Sequence, residues 1–179
     1  LTEQASSIAP RDAQYRLLAD LHLLEFQRVL AETPSSQEAL QKKVQELAKN
    51  ASDAASKAIQ LDPTNYLNHV SRAGIGDLFA TLNIDRTVTS AAARDAYIEA
   101  SRLNPSSPRL EFAIGRASLL LGDRQGAILH LEKARELRPA YPEAIAALAE
   151  LNRQDGKMDR AIEIATAGLQ NDPSNFIIL

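Results

Sequence analysis

Cysteine is absent from the 179 residues, so no disulfide, no thiolate metal site and no cysteine nucleophile can exist. The same absence leaves the compartment open, since a chain without thiols suits oxidising and reducing surroundings alike. Tryptophan is also absent and aromatic residues make up 4%, which leaves little of the ring surface that sugar sites present. Neither sign of charge dominates. Lys+Arg 20 against Asp+Glu 23 gives a formal net charge of -3 and no basic stripe to neutralise phosphates, so nucleic acid is not an expected partner. No apolar run approaches the ~20 residues that span a bilayer, and Leu1-Thr2-Glu3-Gln4 lacks the basic start of a signal peptide. No transmembrane segment is expected here, the chain as given reads as soluble, and its start at Leu rather than Met suggests a piece cut from something longer.

Hydrophobic residues make up 45%, mostly Ala and Leu, which pack helices closely and suit strands poorly. Four phrases punctuate this helical composition: Gln60-Leu61-Asp62-Pro63, Arg102-Leu103-Asn104-Pro105, Glu136-Leu137-Arg138-Pro139 and Gln170-Asn171-Asp172-Pro173. Each places a proline just past a helix end, where its missing N–H cannot continue the ladder. The last two intervals are 34 residues and the first is 42. Superposing the two regular units sets Gly115 over Ala149, Gly122 over Gly156, Ala127 over Ala161, Ile128 over Ile162, Leu131 over Ala165 and Ala134 over Gly168. Small residues thus recur where helices must touch, and Gly122-Asp123 and Gly156-Lys157 supply tight turns.

This pattern resembles the tetratricopeptide repeat, whose period is about 34 residues. The resemblance implies an all-α, right-handed solenoid of antiparallel helix pairs. The large aromatic usual in the first helix of that repeat is replaced by Glu111 and Ile145. Residues 1–179 read as one domain: an oversized first hairpin over about 11–63, an irregular repeat 66–105, regular repeats 108–139 and 142–173, and the truncated start of a further repeat at 174–179. Helices are expected near 11–31, 36–61, 65–82, 90–103, 107–121, 124–137, 141–154 and 158–171, with no strand. Eight extra residues in the irregular repeat are assigned to a long turn, Asn83 to Ser90. In the first hairpin, Tyr15, Leu18, Leu21, Phe26 and Val29 form the expected apolar face of one helix, and Leu40, Val44, Leu47, Ala51, Ala54 and Ala58 the seam of the other, which opens on a capping box, Ser35-Ser36-Gln37-Glu38. Ser107 before Pro108 reads as a helix start.

A long pair beginning Asp12-Ala13-Gln14-Tyr15-Arg16-Leu17-Leu18-Ala19, then Asn65-Tyr66-Leu67-Asn68-His69, an expanded turn and two regular repeats also look like the C-terminal repeat region of bacterial O-antigen ligase and polymerase-class membrane proteins. That resemblance implies a soluble appendage of a bacterial cell envelope protein involved in surface glycan assembly; without it, a cytoplasmic chain is the alternative. Glycan-transferring residues of such proteins belong to a membrane part, so none is carried over.

No catalytic constellation and no cofactor site is legible. His22, His69 and His130 have no partner at metal-ligand spacing and read as surface or packing residues. Gly74-Ile75-Gly76-Asp77 sits in a helical pattern after no strand, so it reads as close packing, not a phosphate loop. Glu132 and Glu136, interleaved with Lys133 and Arg135, read as a solvated face. The informative surface is the concave one, lined by the first helix of each pair: Leu67, Val70, Ser71, Gly74 and Asp77, then Arg109, Phe112, Ala113, Arg116 and Leu120, then Glu143, Ala146, Ala147, Glu150 and Arg153. Ser71, Gly74, Ala113 and Glu143 stand where a carboxylate-gripping, chaperone-type clamp needs Lys and Asn, which argues against that clamp. Arg109 and Arg116, two turns apart on one face and flanking Phe112, are candidates to hold an acidic or aromatic-anchored peptide, with Glu150 and Arg153 beside them. Ordinary exposed arginines are the plainer alternative. A protein or peptide ligand is thus the leading expectation; direct contact with saccharide or lipid-linked glycan, a structural spacer, and homo-oligomerisation through the C-terminal repeat are the others. For the last, Ile162, Ile164, Ala165 and Leu169 in the final helix lack a following neighbour, and Phe176-Ile177-Ile178-Leu179 trail beyond it.

Overall fold

A computed structural model describes residues 11–31 and 36–171, and no strand occurs among them. The helices are α1 (Arg11–Ala31), α2 (Gln37–Leu61), α3 (Tyr66–Thr81), α4 (Arg86–Leu103), α5 (Pro108–Leu120), α6 (Arg124–Leu137), α7 (Pro142–Gln154) and α8 (Met158–Asn171). Neighbours in sequence pack as hairpins α1/α2, α3/α4, α5/α6 and α7/α8, and each hairpin stacks on the next, which makes a solenoid with α1, α3, α5 and α7 in one layer.

Short polar side chains start these helices by accepting backbone N–H groups that have no partner inside the helix. Ser107 Oγ accepts from Leu110 N at 3.4 Å ahead of Pro108, and Asp123 Oδ1 from Gly126 N at 2.9 Å. Gly122 and Gly156 turn the last two hairpins at φ 76° and 72°, left-handed conformations that a side chain would strain. The capping box is a single cap instead: Ser36 Oγ accepts from Ala39 N at 3.1 Å, and Ala39 occupies the place where a reciprocating Glu would have to stand. Ser35 lies outside the described residues.

The long turn at Asn83–Ser90 is not there. Helix α4 begins at Arg86, and only residues 82–85 separate it from α3. Compared with the regular hairpin α5/α6, α3 is three residues longer (16 against 13), the turn one longer and α4 four longer (18 against 14), which accounts for the eight extra residues. Asn83 and Asp85 take positive φ, 58° and 42°, as Asn and Asp tolerate better than other side chains.

Alanine sets the closeness of packing. Ala19 on α1 meets Ala51, Ala54 and Ala55 of α2, and Ala73, Ala93 and Ala100 join α3 to α4, all buried. At Gly76 an added Cβ would lie 2.7 Å from the carbonyl oxygen of Thr89, so the Gly74–Asp77 stretch serves close approach of α3 to α4. The face expected for α1 is corrected: the buried line is Asp12, Ala19 and Phe26, whereas Tyr15, Leu18 and Leu21 are exposed and Val29 is half-buried. With leucine on all sides, periodicity does not choose a face, and the smallest residue marks the nearest approach.

Candidate functional site

In α5, Leu110, Glu111, Ile114, Gly115, Ala117 and Ser118 turn into the array and are buried. Arg109, Phe112, Ala113 and Arg116 therefore lie on the opposite, open side of the first-helix layer, which is the groove expected from the repeat phase. Arg109 is exposed and has no hydrogen bond or ion pair among the described residues. Phe112, one turn on, meets the ring of Tyr141 edge-on at 5.7 Å and 78°. The Arg138 guanidinium stands 5.6 Å from the centre of the same Tyr141 ring, so Arg109 and Arg138 bracket an aromatic pair. Burial raises the Tyr141 phenol above its ordinary range, Glu143 adds to this, and the charges of Arg109 and Arg138 oppose it.

Arg116, on the same open side, is already ion-paired where Arg109 is not. Arg116 Nη2 donates to Asp77 Oδ2 at 2.5 Å, and that same oxygen accepts from Tyr97 Oη at 2.9 Å. Burial, then the Asp77 carboxylate, pushes the Tyr97 phenol well above its usual range and keeps it a donor. Arg116 thus ties α5 to α3 before it can meet a ligand. Glu150 and Arg153 are likewise bonded to each other, Arg153 Nε and Nη2 donating at 2.7 Å each to the two carboxylate oxygens. The structure brings Arg109 and Phe112 together, and leaves Glu150 with Arg153 as a self-neutralised pair on α7.

Two polar clusters escaped sequence reasoning. Glu111, in the position of the missing aromatic, is fully buried and joins three helices: it accepts from Ser101 Oγ of α4 at 2.5 Å, Lys133 Nζ of α6 at 2.7 Å, and lies 2.7 Å from His130 Nδ1. Burial works to raise its pKa, but the bonds from His130, Lys133 and Ser101 outweigh it and hold the carboxyl at about 2. The second cluster joins α1 to α3. Buried Asp12 accepts from Asn65 Nδ2 at 2.9 Å and Asn68 Nδ2 at 3.1 Å, Arg16 Nη1 donates to Asn68 Oδ1 at 2.8 Å, and Ser71 Oγ donates to Asp20 at 2.7 Å. Burial again pushes Asp12 upward, and the bonds from Asn68 and Asn65 bring it below its ordinary value. The one signal in the sequence was a charged or amide residue at a core position of the repeat. His69 Nε2 lies 2.9 Å from the Pro63 carbonyl oxygen, and no group of three potential metal ligands occurs among the described residues.

In α8, Ile164 is 1% exposed and belongs to the core with Leu148 and Leu151, so it is not part of a free face. Met158, Ile162 and Leu169 are exposed. Residues 172–179, with the Phe176–Leu179 segment, lie outside the described residues.

Residues 118–177 match the tetratricopeptide repeat family. Among solved structures, a crystal structure of MamA superposes with a TM-score of 0.61 at 22% identity, covering 83% of this chain and 85% of that one. A thermophilic TPR protein of Thermus thermophilus, TTC0263, gives 0.59 at 23%, covering 92% and 93%. The MamA of Desulfovibrio magneticus RS-1 gives 0.59 at 16%, covering 89% and 98%. The chain folds as a tetratricopeptide-repeat solenoid. No curated protein sequence matches it. Solenoids of this type are in general non-catalytic protein-binding scaffolds, and no helix among the described residues is long and apolar enough to cross a membrane.

Proposed function

We propose that this solenoid is a protein-interaction scaffold, not an enzyme, that holds a peptide or partner helix on the open face of α1, α3, α5 and α7, with an acidic residue of the ligand at Arg109. The observation that carries this is the corner at the α5 and α7 N-termini. There an uncommitted guanidinium stands one turn from Phe112, against Tyr141, while Arg116, Glu150 and Arg153 are already engaged. An acid beside an aromatic or aliphatic residue would find a charge and a ring face together. Peptides selected from a random displayed library against the full chain should lose binding to Arg109→Glu, with helical circular dichroism unchanged. Selected peptides indifferent to Arg109→Glu and to Phe112→Ala would refute the site.

The low aromatic content weighs against the saccharide-contacting alternative. The setting as an appendage of an O-antigen ligase-class envelope protein rests on the order of its hairpins alone, and membrane spans upstream of Leu1 in the full gene product would test it. Self-association is a second reading, favoured by the exposed Met158, Ile162 and Leu169 of α8; Ile162→Glu should then abolish any dimer seen in sedimentation.

A further inference from the structure

The open face changes character along the array. Directly opposite Ala19, which packs on α2, and Phe26, which packs on Phe79 of α3, stand Leu17, Leu21 and Leu24 at i, i+4 and i+7, exposed by 59, 51 and 61%. In the same direction α3 presents Leu67, exposed, Leu78, half-buried, and Gly74, at which an added Cβ would meet nothing within 4 Å. Helix α5 then presents Arg109, Ala113 and Arg116, and α7 presents Glu143, Ala147 and Glu150. An apolar strip therefore lies along the first two hairpins, with open space over Gly74 and a guanidinium on the next helix.

We infer, resting on the groove reading above, that this strip receives the apolar face of an amphipathic helix from a partner protein, with an acidic residue on the helix shoulder facing Arg109. The choice of a helix follows from hydrogen bonding. Leu17, Leu21, Leu24 and Leu67 offer neither donor nor acceptor, and the exposed Asp20 carboxylate at the α1–α3 seam, which accepts from Ser71, offers no donor to a peptide carbonyl. An extended peptide laid here would bury backbone N–H and C=O groups without partners, whereas a helix satisfies its own. The three leucines cover about two helical turns, roughly 10 Å, the length over which a ligand helix repeats its own i, i+4, i+7 anchors. The charge order selects the shoulder: Arg116 is bonded to Asp77, Arg109 is uncommitted, and Glu143 beyond it disfavours a longer acidic run.

Three labelled, end-blocked peptides titrated against the full chain by fluorescence anisotropy test this. One is a five-turn helix with leucines along one face and glutamates on one shoulder, the second has lysines for the glutamates, and the third has the first one's composition broken by prolines. The glutamate helix should bind saturably and more tightly than the lysine helix. The triple variant Leu17→Ser, Leu21→Ser, Leu24→Ser should weaken it about thirtyfold, and Arg109→Glu should weaken it about fivefold while favouring the lysine helix. Absence of saturable binding by the glutamate helix overturns the inference. The proline-broken peptide binding as tightly, with dependence on Arg109 but not on the leucines, overturns the helix on this strip and leaves the groove reading standing. Binding insensitive to both sets of variants overturns both. Sedimentation of the chain alone showing self-association abolished by the triple serine variant makes the occupant a second copy, which also overturns it.

Discussion

Glu111→Gln tests the central polar joint. The carboxyl sits at about 2 in the folded chain against an ordinary value of 4.5. A folded pKa below the unfolded one means that Glu111 contributes stability above about pH 4.5, and that this is lost as pH falls toward 2. At about 1.4 kcal/mol per pH unit the gap corresponds to about 3 kcal/mol, and the partial exposure of Lys133 and His130 trims it toward about 2. The glutamine amide keeps an acceptor for Ser101 and Lys133 but not the charge, so the variant should be about 2 kcal/mol less stable at neutral pH. Urea unfolding followed by circular dichroism at a series of pH values measures the difference. Because wild type and variant share every other carboxylate, their gap should close as pH falls from about 4.5 to about 2. A gap that stays constant with pH, or a variant as stable as wild type at neutrality, would refute the account.

Asp12→Ala takes from Asn65 Nδ2 its acceptor and from Asn68 Nδ2 one acceptor of three, and should cost about 1–3 kcal/mol; hydrogen exchange should show α1 and α2 losing protection while α5 to α8 keep theirs. Gly76→Val forces a branched side chain against Thr89 and Ala93 and should cost at least about 3 kcal/mol, read as a shifted thermal midpoint. Gly122→Ala meets open space but keeps positive φ, so its cost should stay near about 1 kcal/mol.

How much was legible depended on how local the cause was. The prolines at 34-residue spacing and the glycines of the last two turns act within a few residues of themselves, and the bounds of α6 and α8 coincide with those read from sequence. Thr87, Thr89 and Ser90 resemble turn formers, which sets the expected start of α4 four residues late, yet Ser90 is buried inside the helix. The pairing of Arg116 with Asp77 spans 39 residues, and nothing in local periodicity reports such a pairing. Glu111 was visible as a substitution for an aromatic, but the serine, histidine and lysine that make it tolerable come from α4 and α6. The leucines on every side of α1 hid both its buried line and its open one.

The way α3 and α4 absorb their eight extra residues has a practical corollary. Three or four residues make about one helical turn, so lengthening a helix by that much returns every later side chain to nearly the same azimuth. The two helices have in effect each gained a full screw-thread, and the surfaces facing α2 and α5 stay in phase across the insertion. Such a solenoid can change the height of one hairpin without re-cutting its joints to the neighbours, and excising one turn from each of α3 and α4 should yield a hairpin of the α5/α6 size in an array that still folds.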